Sequence, residues 1–360
     1  MRRRDFVAAL GSAAAAWPLA ARAQTASKTY RLASLTLLGP LPGVYAPTLM
    51  RALGERGYIQ GQNLELQPFG AVGMPLSRLP EFAQDIAAKK FDAAVVAGYP
   101  PAAAMKGTGV PTVVGSGAGD PVRTGLVTSL ARPGGNITGI SDDAAMLTTK
   151  RMGLLKEIKP DLRRVAMLWN KTDHGMSMRY QASADGAKAL GLIVQPLGVG
   201  EPDDFKEAFA AMDREPPDAI LMVSDALTAL NRKRVYEYAT ARRLPAIYES
   251  DNYVRDGGLM SYGADAIESY TRAASLIDRI FKGAKPADLP FEQPTRYLFV
   301  INLKTAKSDR SCNPANRPRA CRRGDRIMAF FAAVQNVCLW HKPEGARSTD
   351  LIPVTGALRK

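Results

Sequence analysis

The chain has 360 residues, with 48 Lys and Arg against 34 Asp and Glu and a formal charge of +14, of which residues 1–23 carry +3, residues 308–360 carry +6 and the 284 residues between carry +5. Scattered basic pairs such as Arg163-Arg164, without a basic patch interleaved with aromatics, exclude nucleic acid as the expected partner. Cys312, Cys321 and Cys338 fit no common zinc spacing, and two histidines, His174 and His341, make no metal site, so neither metal nor cofactor is expected.

The first 23 residues read as an export signal. Arg2, Arg3 and Arg4 open with positive charge, a small-residue apolar run follows from Val7 to Ala16, and Trp17-Pro18 breaks it. Ala21-Arg22-Ala23 offers the small-x-small pattern cut by signal peptidase, which makes Gln24 the mature start. The run of about 10 residues is far short of a membrane-spanning helix. Arg3-Arg4-Asp5-Phe6-Val7 fits the pattern read by the twin-arginine translocase. No later apolar run is long enough to span a bilayer, so a soluble periplasmic product is expected.

The body alternates strand-like and helix-like segments. Tyr30–Leu38 reads as a strand, Ala46–Arg56 as a helix stopped by Gly57, Asn63–Phe69 as a strand and Ser77–Lys89 as an amphipathic helix. Phe91–Ala97 is a short buried strand, with Gly98-Tyr99-Pro100-Pro101 as the turn after it, and Val110–Gly115 is another strand. The rhythm restarts after Ile140. Thr148–Ile158, Arg179–Leu190, Asp203–Asp213 and Leu227–Arg242 read as helices. Arg164–Trp169, Leu192–Leu197, Ala219–Val223, Pro245–Tyr248 and Leu259–Tyr262 read as strands. Helix Ala266–Phe281 and a late strand, Pro294–Leu303, close the body. Two α/β units in series predict two parallel sheets covered by helices on both faces.

In open parallel sheets, ligands bind outside the carboxyl ends of the strands. The loops there are Leu37–Gly39, Gly98–Pro100 and Ser116–Asp120 in the first unit. In the second they are Asn170–His174, Ser224–Thr228, Glu249–Tyr253 and Tyr262–Asp265. Hydroxyls, amides, acids and glycines dominate them, which suits a small polar ligand. The Gly115-Ser116-Gly117-Ala118-Gly119-Asp120 loop lacks the Lys-Ser/Thr of a phosphate cradle. Asp225 has two readings, as an N-cap for the following helix or as counter-ion to a ligand ammonium. Glu249 and Asp251 admit the second role as well. One body histidine and no body cysteine leave the usual hydrolase arrangements without parts.

Several segments in order resemble the ABC-transporter substrate-binding family labelled tryptophan/tyrosine-transport-like. They are Asp120-Pro121-Val122, Ser129-Leu130-Ala131-Arg132-Pro133-Gly134-Gly135-Asn136-Ile137-Thr138-Gly139, Leu154-Leu155-Lys156-Glu157-Ile158, Arg243-Leu244-Pro245-Ala246-Ile247-Tyr248, Asp256-Gly257-Gly258-Leu259-Met260-Ser261-Tyr262-Gly263 and the run from Arg279 to Pro290, closing with Ile301–Lys307. The resemblance implies a type I periplasmic-binding-protein fold: two Rossmann-like lobes, a ligand cleft between them and a hinge of crossing strands. Residues 28–140 plus about 264–290 would form one lobe, and 141–263 plus about 291–303 the other. It implies a monomer that closes on a ligand and delivers it to an ABC permease driven by a cytoplasmic ATPase. By loop position, Ser116 would meet a ligand carboxylate and Asp225 its amine, with Tyr99, Asn170, Gly98, Ser224 and Glu249 around the cleft. The alternatives are an exported α/β enzyme of hydrolase type and a periplasmic sensor docking on a receptor.

The resemblance stops after Lys307. Members continue with a Leu/Ile/Pro-rich stretch ending Ala-Asp-Glu-Val-Ile-Glu, whereas this chain reads Ser308-Asp309-Arg310-Ser311-Cys312. The codons GCC GAC GAG GTG ATC GAA, read one base earlier after a T, give Cys-Arg-Arg-Gly-Asp-Arg, which is Cys321 to Arg326 here. A frameshift near residue 308 is therefore expected, and with it a poorly ordered 308–360 tail.

Overall fold

Two strands that read as unbroken apolar runs, Ala93–Ala97 and Ala219–Met222, lie almost wholly out of solvent. Burial on both faces is what such runs demand of a parallel strand, and each occupies the interior of a separate sheet. The computed structural model describes residues 28–41, 43–308 and 351–354. The export residues Arg3, Arg4, Ala21 and Ala23, and the Cys321–Arg326 run, lie outside the described residues.

The first sheet contains β1 (Tyr30–Leu35), β2 (Leu64–Phe69), β3 (Ala93–Ala97), β4 (Thr112–Ser116) and β5 (Ile137–Gly139), ordered β2-β1-β3-β4-β5 and parallel throughout. The second begins with β6 (Arg164–Asn170), β7 (Ile193–Val199), β8 (Ala219–Met222), β9 (Ala246–Tyr248) and β10 (Met260–Ala264). Its order, β7-β6-β8-β9-β10, repeats that of the first. Two antiparallel strands, β11 (Tyr297–Asn302) and β12 (Leu351–Val354), extend it beyond β10. Pro68 of β2 and Pro196 of β7 lie in corresponding edge strands. An edge tolerates proline because its missing N–H breaks no interior ladder.

Each sheet is packed on both faces. Leu32, Ala93, Val95 and Val113 point into one cluster of the first sheet, with α1 (Tyr45–Gly54) and a late helix (Ala266–Phe281) over them. Ala33, Ala94, Val96 and Val114 point into the other, with α2 (Leu79–Ala88) and α3 (Tyr99–Met105). In the second sheet, Val165, Met167 and Leu221 meet α4 (Thr148–Ile158) and α5 (His174–Ala189) on one face. Ala166, Leu168 and Ile220 meet α6 (Asp204–Arg214) and the helices after β8 on the other. Those are α7 (Ala226–Leu230) and α8 (Arg232–Ala241), with α9 (Asp251–Arg255) following β9. The helix Ala266–Phe281, α10, follows β10 in sequence yet buries Tyr270, Ala273, Ile277 and Phe281 in the first sheet's cluster. Each large side chain buried this way stabilises by about 1.5–3 kcal/mol. The chain returns at Ile140↔Glu292 to β11 and then α11 (Leu303–Ser308).

Three segments differ from the sequence expectation. Gly98–Pro101 is not a free turn but the start of α3, where Pro100 and Pro101 sit in the first turn and leave no extra N–H unpaired. Helix α5 begins at His174 rather than Arg179, because Asp173 caps it through Met176 N at 3.2 Å. The predicted helix 227–242 divides at Asn231 into α7 and α8.

Candidate functional site

In both sheets the strand order reverses beside the first strand, and the carboxyl ends at those two switch points face each other. The space between is a cavity of about 420 Å³, within the usual range for a small-molecule site. Thr36, Leu37, Tyr45, Gly98 and Ser116 line it from the first sheet, and no residue of that wall is charged. Asp142, at the crossing between the sheets, together with Asp173, Arg179, Asp225, Arg232 and Glu249 brings charge to the opposite side, where Ser224 also lines the cavity.

The neutral wall is assembled around Tyr270. Its ring lies under Gly115, where any Cβ would come within 2.6 Å of it, and its hydroxyl is 3.3 Å from Ser116 Oγ. Tyr45 stacks on the same ring at 4.6 Å and 10°. The Tyr45 hydroxyl also accepts a 2.9 Å hydrogen bond from Asn252 Nδ2, so the two walls touch directly. A second contact closes the other side: Tyr99 packs on Gly175, whose Cβ, if present, would stand 2.6 Å from Tyr99 Cβ.

On the charged wall, Asp225 fills the capping role read for it in sequence and also lines the cavity. Its Oδ1 accepts from Thr228 N at 2.8 Å, and its own N–H donates to Thr228 Oγ1, completing a capping box for α7. Its Oδ2 accepts from Asn170 Nδ2 at 2.5 Å. A carboxylate has about four acceptor positions, so capping leaves capacity toward the cavity. Burial pushes the Asp225 pKa up, against the hydrogen bonds from Thr228 and Asn170.

Glu249 is placed differently. Its Oε2 accepts from Arg179 Nη1 at 2.9 Å and from Ser224 N at 2.9 Å, and its Oε1 lies 3.4 Å from Arg151 Nη1. Arg179 Nη2 donates to Asp142 Oδ2 at 2.5 Å. Arg151, wholly buried, also donates to the carbonyls of Tyr262 and Ala144. Burial pulls both guanidiniums toward lower pKa. For Arg179 the charges of Asp142 and Glu249 outweigh burial and raise it, while for Arg151 burial prevails. Two buried arginines and two carboxylates thus neutralise one another at the floor of the cavity.

Of the residues singled out in sequence, Gly98, Ser116, Ser224, Asp225 and Glu249 line the cavity. Asn170 stands behind Asp225 as its donor, and Tyr99 packs across the cleft against α5, with its ring 5.9 Å from that of His174. Sequence reasoning did not single out Asp142, Asp173, Arg179, Arg151 or Tyr45. Asp173 lay inside a candidate loop and had the signature of a cap. The arginines lay within helices, where nothing local distinguishes a buried charge from a solvated one.

Residues 45–310 match the family described as ABC transporter substrate binding protein. The chain belongs to that family. A tyrosine-binding protein of Clostridioides difficile (strain R20291) is 24% identical over 261 residues, which is 72% of this chain and 74% of the relative. A solved conserved domain protein of Vibrio cholerae superposes with a TM-score of 0.71 at 24% identity, covering 78% of this chain and 94% of its own. The ABC domain from Streptococcus pneumonia, solved in complex with L-Trp, gives 0.67 at 23% identity, covering 77% and 93%. Both structures share the α/β fold of periplasmic binding proteins. Substrate-binding proteins of this family work outside the cytoplasm, handing a small molecule to an ABC transporter. Among the described residues no helix is long and apolar enough to cross a membrane. The family match favours neither a hydrolase nor a receptor-docking sensor.

Proposed function

We propose that this substrate-binding protein captures an amino acid, of the aromatic class bound by its relatives, and closes on it without catalysis. The observation that carries this reading is the placement of Asp225 on one wall opposite Ser116 on the other, across a cavity of about 420 Å³. Asp225 meets the ligand ammonium while held in place by Thr228 and Asn170. Ser116 Oγ meets the carboxylate, a charge-assisted hydrogen bond of the kind worth about 1.5–3 kcal/mol. Residues 28–140 with 264–290 move as one lobe, the remainder of the body as the other, and the crossings near residues 140, 265 and 292 are the hinge. Tyr45 and Tyr99, which touch the second wall here, part from it when the lobes open.

Calorimetry and thermal melts with L-tyrosine, L-tryptophan and the other amino acids test this. A ligand at 100 times its Kd stabilises the folded state by about 2.7 kcal/mol. Absence of any melting shift with every amino acid would sink the reading.

The same proposal takes the protein to the periplasm through the twin-arginine translocase, with signal peptidase cutting before Gln24 and the product working as a monomer. Edman sequencing of the exported chain is expected to begin at Gln24, and another start would correct the cleavage site. The family match ends at residue 310, close to where the sequence departs from the family pattern. Codons for Arg310 to Arg326 can be chosen so that the next frame reads Gly-Leu-Ala-Ile-Pro-Pro-Thr-Val-Arg-Ala-Arg-Ala-Asp-Glu-Val-Ile. The gene's DNA decides: a shifted frame that is not family-like there refutes the frameshift.

A further inference from the structure

The charges around the cavity do not balance. Arg179 and Arg151 are committed to Asp142 and Glu249, and Arg232 is paired with Asp256. Asp173 and Asp225 remain, both lining the cavity, with no cation bonded to either among the described residues. Asp173 is only 3% exposed, and the wall opposite offers it no charge. A second feature of the same wall also waits for a partner. Arg179 Nε has no hydrogen-bond partner among the described residues, although the residue is 4% exposed and lines the cavity. An acceptor group of a ligand in the cavity would complete it.

We infer that Asp173 is a second carboxylate for the ligand's cationic group, and that capture of a protonated amine releases a proton from it. This rests on the proposed amino-acid reading and extends it to the ligand's charge. The groups facing Asp173 are Asp225 from the start of α7, Arg179 further along α5, Tyr99 across the cleft and the adjacent His174. Burial, and then the negative charge of Asp225, push Asp173 up to about 7, against the hydrogen bond from Met176 N and the charge of Arg179. Two unneutralised carboxylates side by side hold one proton between them. An incoming ammonium supplies the missing positive charge, so that proton leaves to solvent and the carboxylate binds ionised. Below pH 7 the amine must displace the proton, and above it the carboxylate is already bare.

Affinity is therefore expected to rise about tenfold per pH unit between pH 5 and 7 and then level off. Calorimetry with L-tryptophan, L-tyrosine, tryptamine and indole-3-propionate, in buffers of different ionisation enthalpy, reads the slope and the proton count. About one proton is expected to be released per amine bound at pH 6. Asp173→Asn keeps an N-cap acceptor for α5, and is expected to bind with a flat pH profile and about tenfold weaker at pH 8. Carboxyl NMR of the ligand-free protein is expected to show an aspartate titrating near 7 that is missing in the variant. A pH-independent affinity for the amino acids, a variant that keeps the slope, or no such titration overturns the inference while leaving the amino-acid reading intact. Tryptamine binding with the expected slope, when neither amino acid binds, supports the inference and ends the amino-acid reading. Indole-3-propionate binding as tightly as the amines, or no binding by any amine from pH 5 to 8, overturns it.

Discussion

Replacing Glu249 by alanine is expected to destabilise the second sheet severely, although the residue sits beside a ligand cavity. The carboxylate is the hub of the buried floor: Arg179 Nη1 and Ser224 N each donate to Oε2 at 2.9 Å, and Arg151 Nη1 lies 3.4 Å from Oε1. Its removal leaves two buried guanidiniums with Asp142 as the remaining carboxylate, and one backbone N–H without its acceptor. Breaking a buried ion pair from one side costs about 3–5 kcal/mol, because the other charge stays buried and unpaired. At about 2–4 °C per kcal/mol for a unit of 150–250 residues, the melting temperature should fall by roughly 6–20 °C. Differential scanning calorimetry at pH 7.5 without ligand measures it. Glu249→Gln, which keeps an acceptor for Ser224 N but loses the charge, should fall between the two. A melt of Glu249→Ala within about 2 °C of the parent, on a scale where one kcal/mol moves it by that much, would refute the reasoning. It would mean that solvent enters the floor and screens both arginines.

Asp225→Asn removes the charge and leaves one acceptor oxygen where the carboxylate serves both Thr228 N and Asn170 Nδ2, so ligand affinity by calorimetry should drop about 10- to 100-fold, the worth of a charged hydrogen bond, with a loss of stability of about 1–3 kcal/mol. An unchanged affinity would remove Asp225 from the site. Gly175→Ala places a Cβ against Tyr99, and overpacking of about 1–3 kcal/mol should part the walls and weaken ligand binding; equal binding would show that this contact is not needed to hold the ligand. Asp173 holds its proton to about pH 7, whereas an unfolded aspartate loses it near 4. The native state therefore binds more protons between those values, and stability falls as pH rises through that window. Asp173→Asn should be more stable than the parent at pH 8, by roughly 4 kcal/mol at most, and equal to it at pH 4; a gap of the same size at both pH values would contradict this.

The fold was largely legible because its signals are local and repeated. Ala93–Ala97 and Ala219–Met222 are short apolar runs, and Ala266–Phe281 carries a helical apolar stripe whose two ends are read correctly. Short elements without a stripe were harder. Ile137–Gly139 is a strand of three residues, and Asp251–Arg255 a helix of five held by the Ser250 cap. The His174–Met178 turn owes its helicity to Asp173, a cap that outweighs weak periodicity. The site was half legible. Loop placement at strand ends leads to Ser116, Ser224 and Asp225. Arg151 and Arg179 come from the first and second helices of the second unit, and only packing shows that they converge on Glu249.

The two sheets share the order of their first five strands, yet the charge that lines the cavity stands on the second sheet's side, and the reason lies in how their helices start. After β6 and β8 the chain enters a helix through an aspartate cap, Asp173 or Asp225, which aims a carboxylate at the strand ends. After β3 the entry is Gly98, with Pro100 and Pro101 in the first turn. No side chain caps that helix, and none carries charge into the cavity. The same structural need, closing the exposed N–H groups of a helix start, is met by acids on one wall and by a glycine and two prolines on the other. One wall is left able to hold a cation and the other to receive hydrogen-bonding and apolar groups. A ligand with an ammonium at one end and a carboxylate and ring beyond it matches that division, whereas a dianion does not.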